Sequence, residues 1–101
     1  MIPEKVHVGP LEYEILRGPA SDAYLSRCGR MGESDHLECV VRIRTDLTEQ
    51  QSWETFWHEI THCVDYVYLN GKMDEDQVAC FARGLMQVIH QVWTGGETKK
   101  T

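Results

Sequence analysis

The segment TEQQSWETFWHEITHCVDYVYLNG, residues 48–71, carries the strongest structural signals in the chain. Thr48 and Gln51 have the spacing of a capping box, and Asn70-Gly71 supplies the left-handed residue that commonly closes a helix. Between these two signals the apolar positions recur at helical intervals, and they are Trp53, Phe56, Trp57, Ile60, Val64, Val67 and Tyr68. The segment therefore predicts an amphipathic helix over about residues 49–69.

A second amphipathic helix is predicted directly after the first. Asp74 and Gln77 repeat the cap-like spacing, and Thr94-Gly95-Gly96 marks the end. One apolar stripe runs between these signals, made of Val78, Phe81, Ala82, Leu85, Ile89 and Val92. We expect a helix over about residues 75–93, antiparallel to the first because the link is short, and then a flexible tail at residues 94–101.

The first half of the chain predicts a small β-sheet. Residues 5–8 and 11–16 alternate apolar with polar side chains around Gly9-Pro10, which indicates a hairpin. Alternation returns within residues 37–44, where β-branched side chains favour a third strand. Between the hairpin and this strand, only a single helical turn at residues 23–25 is predicted.

Length and composition are consistent with one small domain. The chain has 101 residues, of which 42% are hydrophobic, and we expect a single domain over residues 1–93. The predicted elements give an α+β fold, with a small and mostly antiparallel sheet packed on two antiparallel helices. The net charge of −6 disfavours nucleic acid as a direct ligand.

The sequence shows no signal for export or for a membrane. It has no run of about 18 apolar residues, and residues 1–5, MIPEK, lack the layout of a signal peptide. The four cysteines occur singly, which is typical of thiols in a reducing compartment, and we expect Cys63 and Cys80 to be small buried hydrophobic residues within the helices. We therefore expect a cytoplasmic protein that does not contact a membrane.

The chemistry is concentrated in His58-Glu59-Ile60-Thr61-His62, an HExxH pattern inside the first predicted helix. Residues four apart lie on one helix face, so the imidazoles of His58 and His62 can converge on a single metal ion. Glu59 would sit beside that ion without binding it and could take a proton from a metal-bound water. A catalytic zinc ion of this type has three protein ligands and leaves a fourth position open.

The third ligand is sought among the acidic residues that follow. Glu75 heads the apolar stripe of the second helix, so its side chain should point toward the first helix. Another interpretation makes Glu75 a first-turn acid that stabilises the helix dipole. Asp65 is the main rival as a ligand, although we prefer it as a hydrogen-bond acceptor for an imidazole N–H. Asp74 and Asp76 are the next candidates for the third ligand.

Other histidines and aromatic residues have less decisive settings. His36 precedes the third strand and is a candidate for stabilising an oxyanion in the cleft, whereas His7 is expected on the surface. His90 lies ~22 Å along the helix from Glu75, too far to share its ion. The aromatic residues of the first helix are expected to pack, and they are Trp53, Phe56, Trp57, Tyr66 and Tyr68.

The motif HEITH, followed by EDQVACFA at residues 75–82, resembles the ImmA/IrrE-type zinc metallopeptidases and the small phage-encoded domains related to them. In that family an acidic ligand opens an E-x-x-A-x-x-F-A helix, and here Val78 replaces the usual alanine. The resemblance covers roughly half of the chain. It implies that His58, His62 and Glu75 bind zinc and that Glu59 is the catalytic base.

Two functions follow as expectations. The first is a minimal zincin-like endopeptidase that hydrolyses a peptide bond in a protein substrate, with Glu59 as general base on a zinc-bound water. The alternative is a metal-containing module that binds a protein partner without catalysis. The resemblance also implies a phage-type protein acting in the host cytoplasm.

Overall fold

Four strands and three helices make up the part of the chain that the structure describes. The computed structural model describes the backbone of residues 1–98 and the side chains of residues 1–93. In chain order the elements are β1 (Lys5–Val8), β2 (Leu11–Leu16), α1 (Pro19–Cys28), β3 (Gly32–Asp35), β4 (Val40–Ile43), α2 (Glu49–Tyr68) and α3 (Glu75–Thr98).

The sheet has the spatial order β1-β2-β4-β3 and is mostly antiparallel, as predicted. Strands β1 and β2 form the expected hairpin, with Val8 opposite Leu11, and β3 pairs antiparallel with β4. Only the β2–β4 pair is parallel, and a parallel pair needs a long connection, which α1 and β3 supply here. Strand β3 is therefore left at one edge of the sheet.

The core lies between the sheet and α2. Its buried side chains are Val8, Tyr13, Ile15, Val41 and Ile43 from the strands, with Phe56, Ile60 and Cys63 from α2. Helix α3 packs on α2, where Val78 and Ala82 are buried. Burying a side chain of this size contributes roughly 1.5–3 kcal/mol, so the layer around α2 is the main source of stability. The predicted α+β architecture is confirmed.

The stretch between the hairpin and the last strand holds more structure than its sequence pattern predicts. Helix α1 has ten residues instead of one turn, with Pro19 in its first turn and Gly29 as a left-handed cap. Only Ser21 and Leu25 are buried in this helix, so it lacks the periodic stripe that would have revealed it. Strand β3 was not predicted because its sequence, GESD, contains no apolar side chain.

The apolar stripe of α3 is buried only in part, which corrects the sequence prediction. Leu85 and Ile89 are half-buried, whereas Phe81 and Val92 are exposed because they lie to one side of the contact with α2. The helix also continues to Thr98, beyond its predicted end at residue 93, since a glycine disfavours a helix by only about 1 kcal/mol. The remainder of the predicted tail, residues 99–101, lies outside the described residues.

The cysteines are all free thiols, but their settings differ. Cys63 is buried in the core, as predicted, whereas Cys80 is exposed on α3 because its position faces away from α2. None of the helices in residues 1–98 has the length and apolar character that a bilayer crossing requires.

Gly32 permits the close approach of β3 to α2. A Cβ atom there would lie 2.5 Å from Thr55 Cγ2 and 3.1 Å from the backbone oxygen of Arg42. We expect Gly32→Ala to lower the free energy of unfolding by roughly 1–3 kcal/mol through overpacking. Gly84→Ala is the matched control, because Gly84 has open space around it and alanine favours a helix by roughly 1 kcal/mol. Chemical denaturation should give opposite signs for the two variants, and equal stabilities would contradict this packing.

Candidate metal centre

Three side chains from two helices converge at one end of the α2–α3 pair. His58 and His62 lie one turn apart on α2, and their ring centroids are 5.0 Å apart. Glu75, the first residue of α3, places Oε1 2.6 Å from His58 Nε2 and Oε2 3.2 Å from His62 Nε2. One ligand atom from each residue lies within 4.8 Å of the other two. The group can therefore hold a metal ion.

The ligand types and spacings suit zinc. Two histidines and one glutamate form a known set for catalytic zinc, and tetrahedral bonds of about 2.0–2.1 Å place ligand atoms ~3.3 Å apart. The 3.2 Å between His62 and Glu75 matches that value, whereas the 2.6 Å between His58 and Glu75 is a hydrogen-bond distance, so these two side chains would move apart to admit the ion. The Glu75 side chain is 68% exposed, which leaves the site open to solvent on one side.

A capping box delivers Glu75 to this position. The Asp74 N–H donates to Gln77 Oε1 at 2.9 Å, and the Gln77 N–H donates to Asp74 Oδ1 at 2.8 Å. These reciprocal bonds confirm the predicted start of the helix. They also make Glu75 the first residue of α3, directly opposite the two histidines.

Asp65 fixes the link between the two helices. Its buried carboxylate accepts a hydrogen bond from the N–H of Met73 at 3.1 Å, and its backbone oxygen accepts from Leu69 and Gly71. No hydrogen bond joins Asp65 to His58 or His62 in the described part of the chain, which differs from the predicted contact with an imidazole. The chain turns back over Asp65 after α2, so the carboxylate binds the N–H of Met73 instead of an imidazole N–H. Asp65 is also outside the group of possible ligands.

Glu59 lies beside the ligand group and is only 7% exposed. Ser34 Oγ on β3 donates to Glu59 Oε1 at 2.7 Å and also lies 3.1 Å from the Glu59 backbone oxygen. Burial raises the pKa of Glu59, while the hydrogen bond from Ser34 and the nearby imidazoles oppose this increase. The carboxylate is thus held in one orientation next to the predicted ligands without being one of them.

A cleft of about 700 Å³ opens beside the ligand group. Its lining includes His58, Glu59 and His62 of α2 together with Gly32, Glu33 and Ser34 of the edge strand β3. Glu75 and Arg83 of α3 border the same space. A ligand that reaches the metal group would therefore pass along the edge of the sheet.

His36, a candidate from the sequence, lines this cleft. Its Nδ1 atom lies 2.9 Å from the hydroxyl oxygen of Tyr13, and its ring stacks on Tyr66 with 4.3 Å between centroids. His90 is elsewhere, in contact with Trp53 and Trp57, which agrees with its exclusion from the site.

Ser34 and Tyr13 contact site residues although the sequence pattern marks neither of them. The polar strand GESD carries no motif that would mark Ser34. Tyr13 belongs to the alternating pattern of β2 and appears there only as a core residue. The local sequence could not indicate the role of either residue, because their contacts join segments that are more than 20 residues apart.

Comparisons of the chain with protein-family models, with curated proteins and with solved structures found no match. The resemblance to ImmA/IrrE-type metallopeptidases therefore stays a prediction. The geometry of the described residues carries the functional interpretation.

Zinc is expected to stabilise the folded chain by binding to His58, His62 and Glu75. At a free zinc concentration of about 100 times Kd the gain is about 2.7 kcal/mol, which corresponds to a rise in melting temperature of roughly 10–20 °C. His62→Ala should remove this rise, whereas His7→Ala, which removes a histidine paired with Glu12 on the hairpin, should retain it. Thermal melts with and without zinc measure the effect, and an equal rise in His62→Ala would rule out this ligand set.

The role of Asp65 can be tested with two variants. Asp65→Ala leaves the Met73 N–H without its acceptor, and we expect a loss of roughly 1–2 kcal/mol in stability. Zinc affinity should fall about 10- to 100-fold, because Glu75 is no longer held in place. Asp65→Asn keeps an oxygen acceptor and should bind zinc more tightly than Asp65→Ala. Competition with a chromophoric chelator gives the affinities, and equal values for all three proteins would show that the link does not position Glu75.

Proposed function

We propose that this chain is a zinc-dependent endopeptidase that hydrolyses a peptide bond in a protein substrate. The observation that carries the proposal is the convergence of His58, His62 and Glu75 beside the buried carboxylate of Glu59. If the two histidines shared a helix face by chance, there would be no reason for a carboxylate from a second helix to contact both of their rings, as Glu75 does. The open cleft along the sheet edge supplies access to the same point.

The chemistry divides between the ion and the side chains. A zinc ion bound by His58, His62 and Glu75 would polarise a carbonyl group and make a neighbouring water more acidic. Glu59 accepts the proton of the water that attacks the scissile carbonyl carbon, and then donates this proton to the leaving amine as the C–N bond breaks. Ser34 keeps the Glu59 carboxylate directed at the cleft through its 2.7 Å hydrogen bond.

The edge strand β3 favours an extended polypeptide as substrate. Its partner β4 covers only one side of it, so the other side can pair with the main chain of a bound peptide. Ser34, on this strand, contacts Glu59 directly. A peptide paired with β3 would therefore run past the metal group within the cleft.

Membership of the ImmA/IrrE-type metallopeptidases and a cytoplasmic location belong to this proposal. The first is supported by HEITH and by the acidic residue that opens the next helix, and the second by the isolated free cysteines. A phage-type origin follows from the resemblance alone.

Exposed apolar residues favour a second candidate function. The apolar side chains of Phe81, Val88 and Val92 are exposed on α3. A patch of exposed apolar side chains is typical of a surface that binds a partner. In this alternative the metal group stabilises a domain that binds another protein and does not cleave it.

Glu59→Gln separates the two functions. We expect the wild type with zinc to cleave members of a random peptide library, and Glu59→Gln to lose cleavage by at least about 100-fold, because general acid–base catalysis contributes roughly 10²–10⁴-fold. The variant should keep its zinc, which elemental analysis measures, since Glu59 is not a ligand. Glu54→Gln changes another glutamate of the cleft and is the control, with cleavage expected to persist. A wild type that holds zinc and cleaves nothing would favour the binding module.

A further inference from the structure

The imidazole of His36 is held from two sides by residues of other elements. Tyr13 in β2 is fully buried, and its hydroxyl oxygen lies 2.9 Å from His36 Nδ1. Tyr66 in α2 covers one face of the ring, with 4.3 Å between centroids and 5° between planes. These two contacts fix both the position and the ring orientation of His36 at the border of the cleft.

The contact with Tyr13 determines which ring nitrogen carries the proton. The Tyr13 hydroxyl can donate its proton either to His36 Nδ1 or to the thiol of Cys63, and a thiol sulfur is by far the weaker acceptor. The Tyr13 O–H therefore donates to Nδ1, and the proton of the neutral imidazole resides on Nε2. The two ring nitrogens point in diverging directions, so Nε2–H points away from Tyr13.

His36 packs against α2 next to the face that carries His58 and His62, and it borders the same cleft. Tyr66 follows His62 by four residues, so the ring stacked on it lies about 6 Å further along the helix axis. His36 also borders the same cleft as His58, His62 and Glu59. A substrate bound in this cleft next to the ligands would therefore also lie beside His36.

We propose that His36 is a catalytic residue whose Nε2–H donates a hydrogen bond to the oxyanion that develops on the substrate carbonyl oxygen. Tyr13 is its positioning residue, because its hydroxyl fixes the tautomer and the direction of the ring. The inference rests on the proposed peptidase function and adds to it the group that stabilises the charge formed when water attacks. A preorganised donor of this kind contributes roughly 10²–10³-fold to kcat.

Other donors at the cleft are less suited to this role. The Arg30 side chain is 60% exposed and pairs with Glu33 at 3.3 Å. Arg83 is exposed on α3 at the border of the cleft. A long, exposed side chain has to be ordered during the reaction, whereas the His36 ring is already fixed by its two aromatic neighbours.

The first test compares His36→Ala with His36→Gln on a peptide that the wild type cleaves. We expect kcat to fall roughly 100- to 1000-fold in His36→Ala with little change in KM and with zinc content retained. His36→Gln should recover part of kcat, because its amide N–H₂ can occupy the position of Nε2–H. Unchanged kcat in His36→Ala would overturn this inference and leave the peptidase function intact. A wild type that cleaves no peptide would overturn both.

The second test needs neither zinc nor substrate. In ¹⁵N NMR spectra of the metal-free protein at neutral pH, His36 should show a protonated Nε2 and an unprotonated Nδ1. Tyr13→Phe, which removes only the hydroxyl group, should shift the ring toward a mixture of tautomers and lower kcat less than His36→Ala does. A protonated Nδ1 in the wild type, or the same tautomer in Tyr13→Phe, would show that Tyr13 does not orient the donor.

Discussion

Helix α2 packs one face against the sheet, and this packing fixes the direction of every other side chain on the helix. Phe56, Ile60 and Cys63 enter the core, and successive residues of a helix are rotated by about 100°. His58 and His62 must then lie beside that face, where α3 meets α2. Glu59 is directed toward β3 by the same rotation, which explains why a potentially charged side chain is buried next to the core.

Buried polar groups connect this scaffold to the candidate site. Asp65 holds the link that leads to Glu75, Ser34 holds the carboxylate of Glu59, and Tyr13 holds the ring of His36. The contacts of Ser34 and Tyr13 hold side chains of the cleft directly, whereas Asp65 acts through the backbone of the link before α3. A buried hydrogen bond is costly to leave unmade, so these contacts restrict the site to one arrangement. The core and the site are therefore parts of one packed structure.

The sequence predicted the elements with strong local signals. Capping boxes at Thr48 and Asp74 are present with both of their reciprocal hydrogen bonds, and both helices begin where these signals indicate. Helix α1 and strand β3 were missed because their residues carry no repeating apolar pattern, and contacts with distant segments hold them in place. The exposure of Phe81 was also missed, because periodicity gives the spacing of apolar residues but not the width of the face that a neighbouring helix covers.

Local sequence is enough to predict that His58 and His62 share a helix face, because four residues make about one turn wherever that helix lies. It also determined that Glu75 opens the next helix, since the cap at Asp74 is local. The contact of Glu75 with both imidazoles, and the contact of Asp65 with the link instead, depend on how the helices pack. The same packing brings Ser34 into contact with Glu59 and Tyr13 into contact with His36. Those relations depend on how the chain turns between helices and on which strand lies at the sheet edge, and neither is encoded in the spacing of nearby residues.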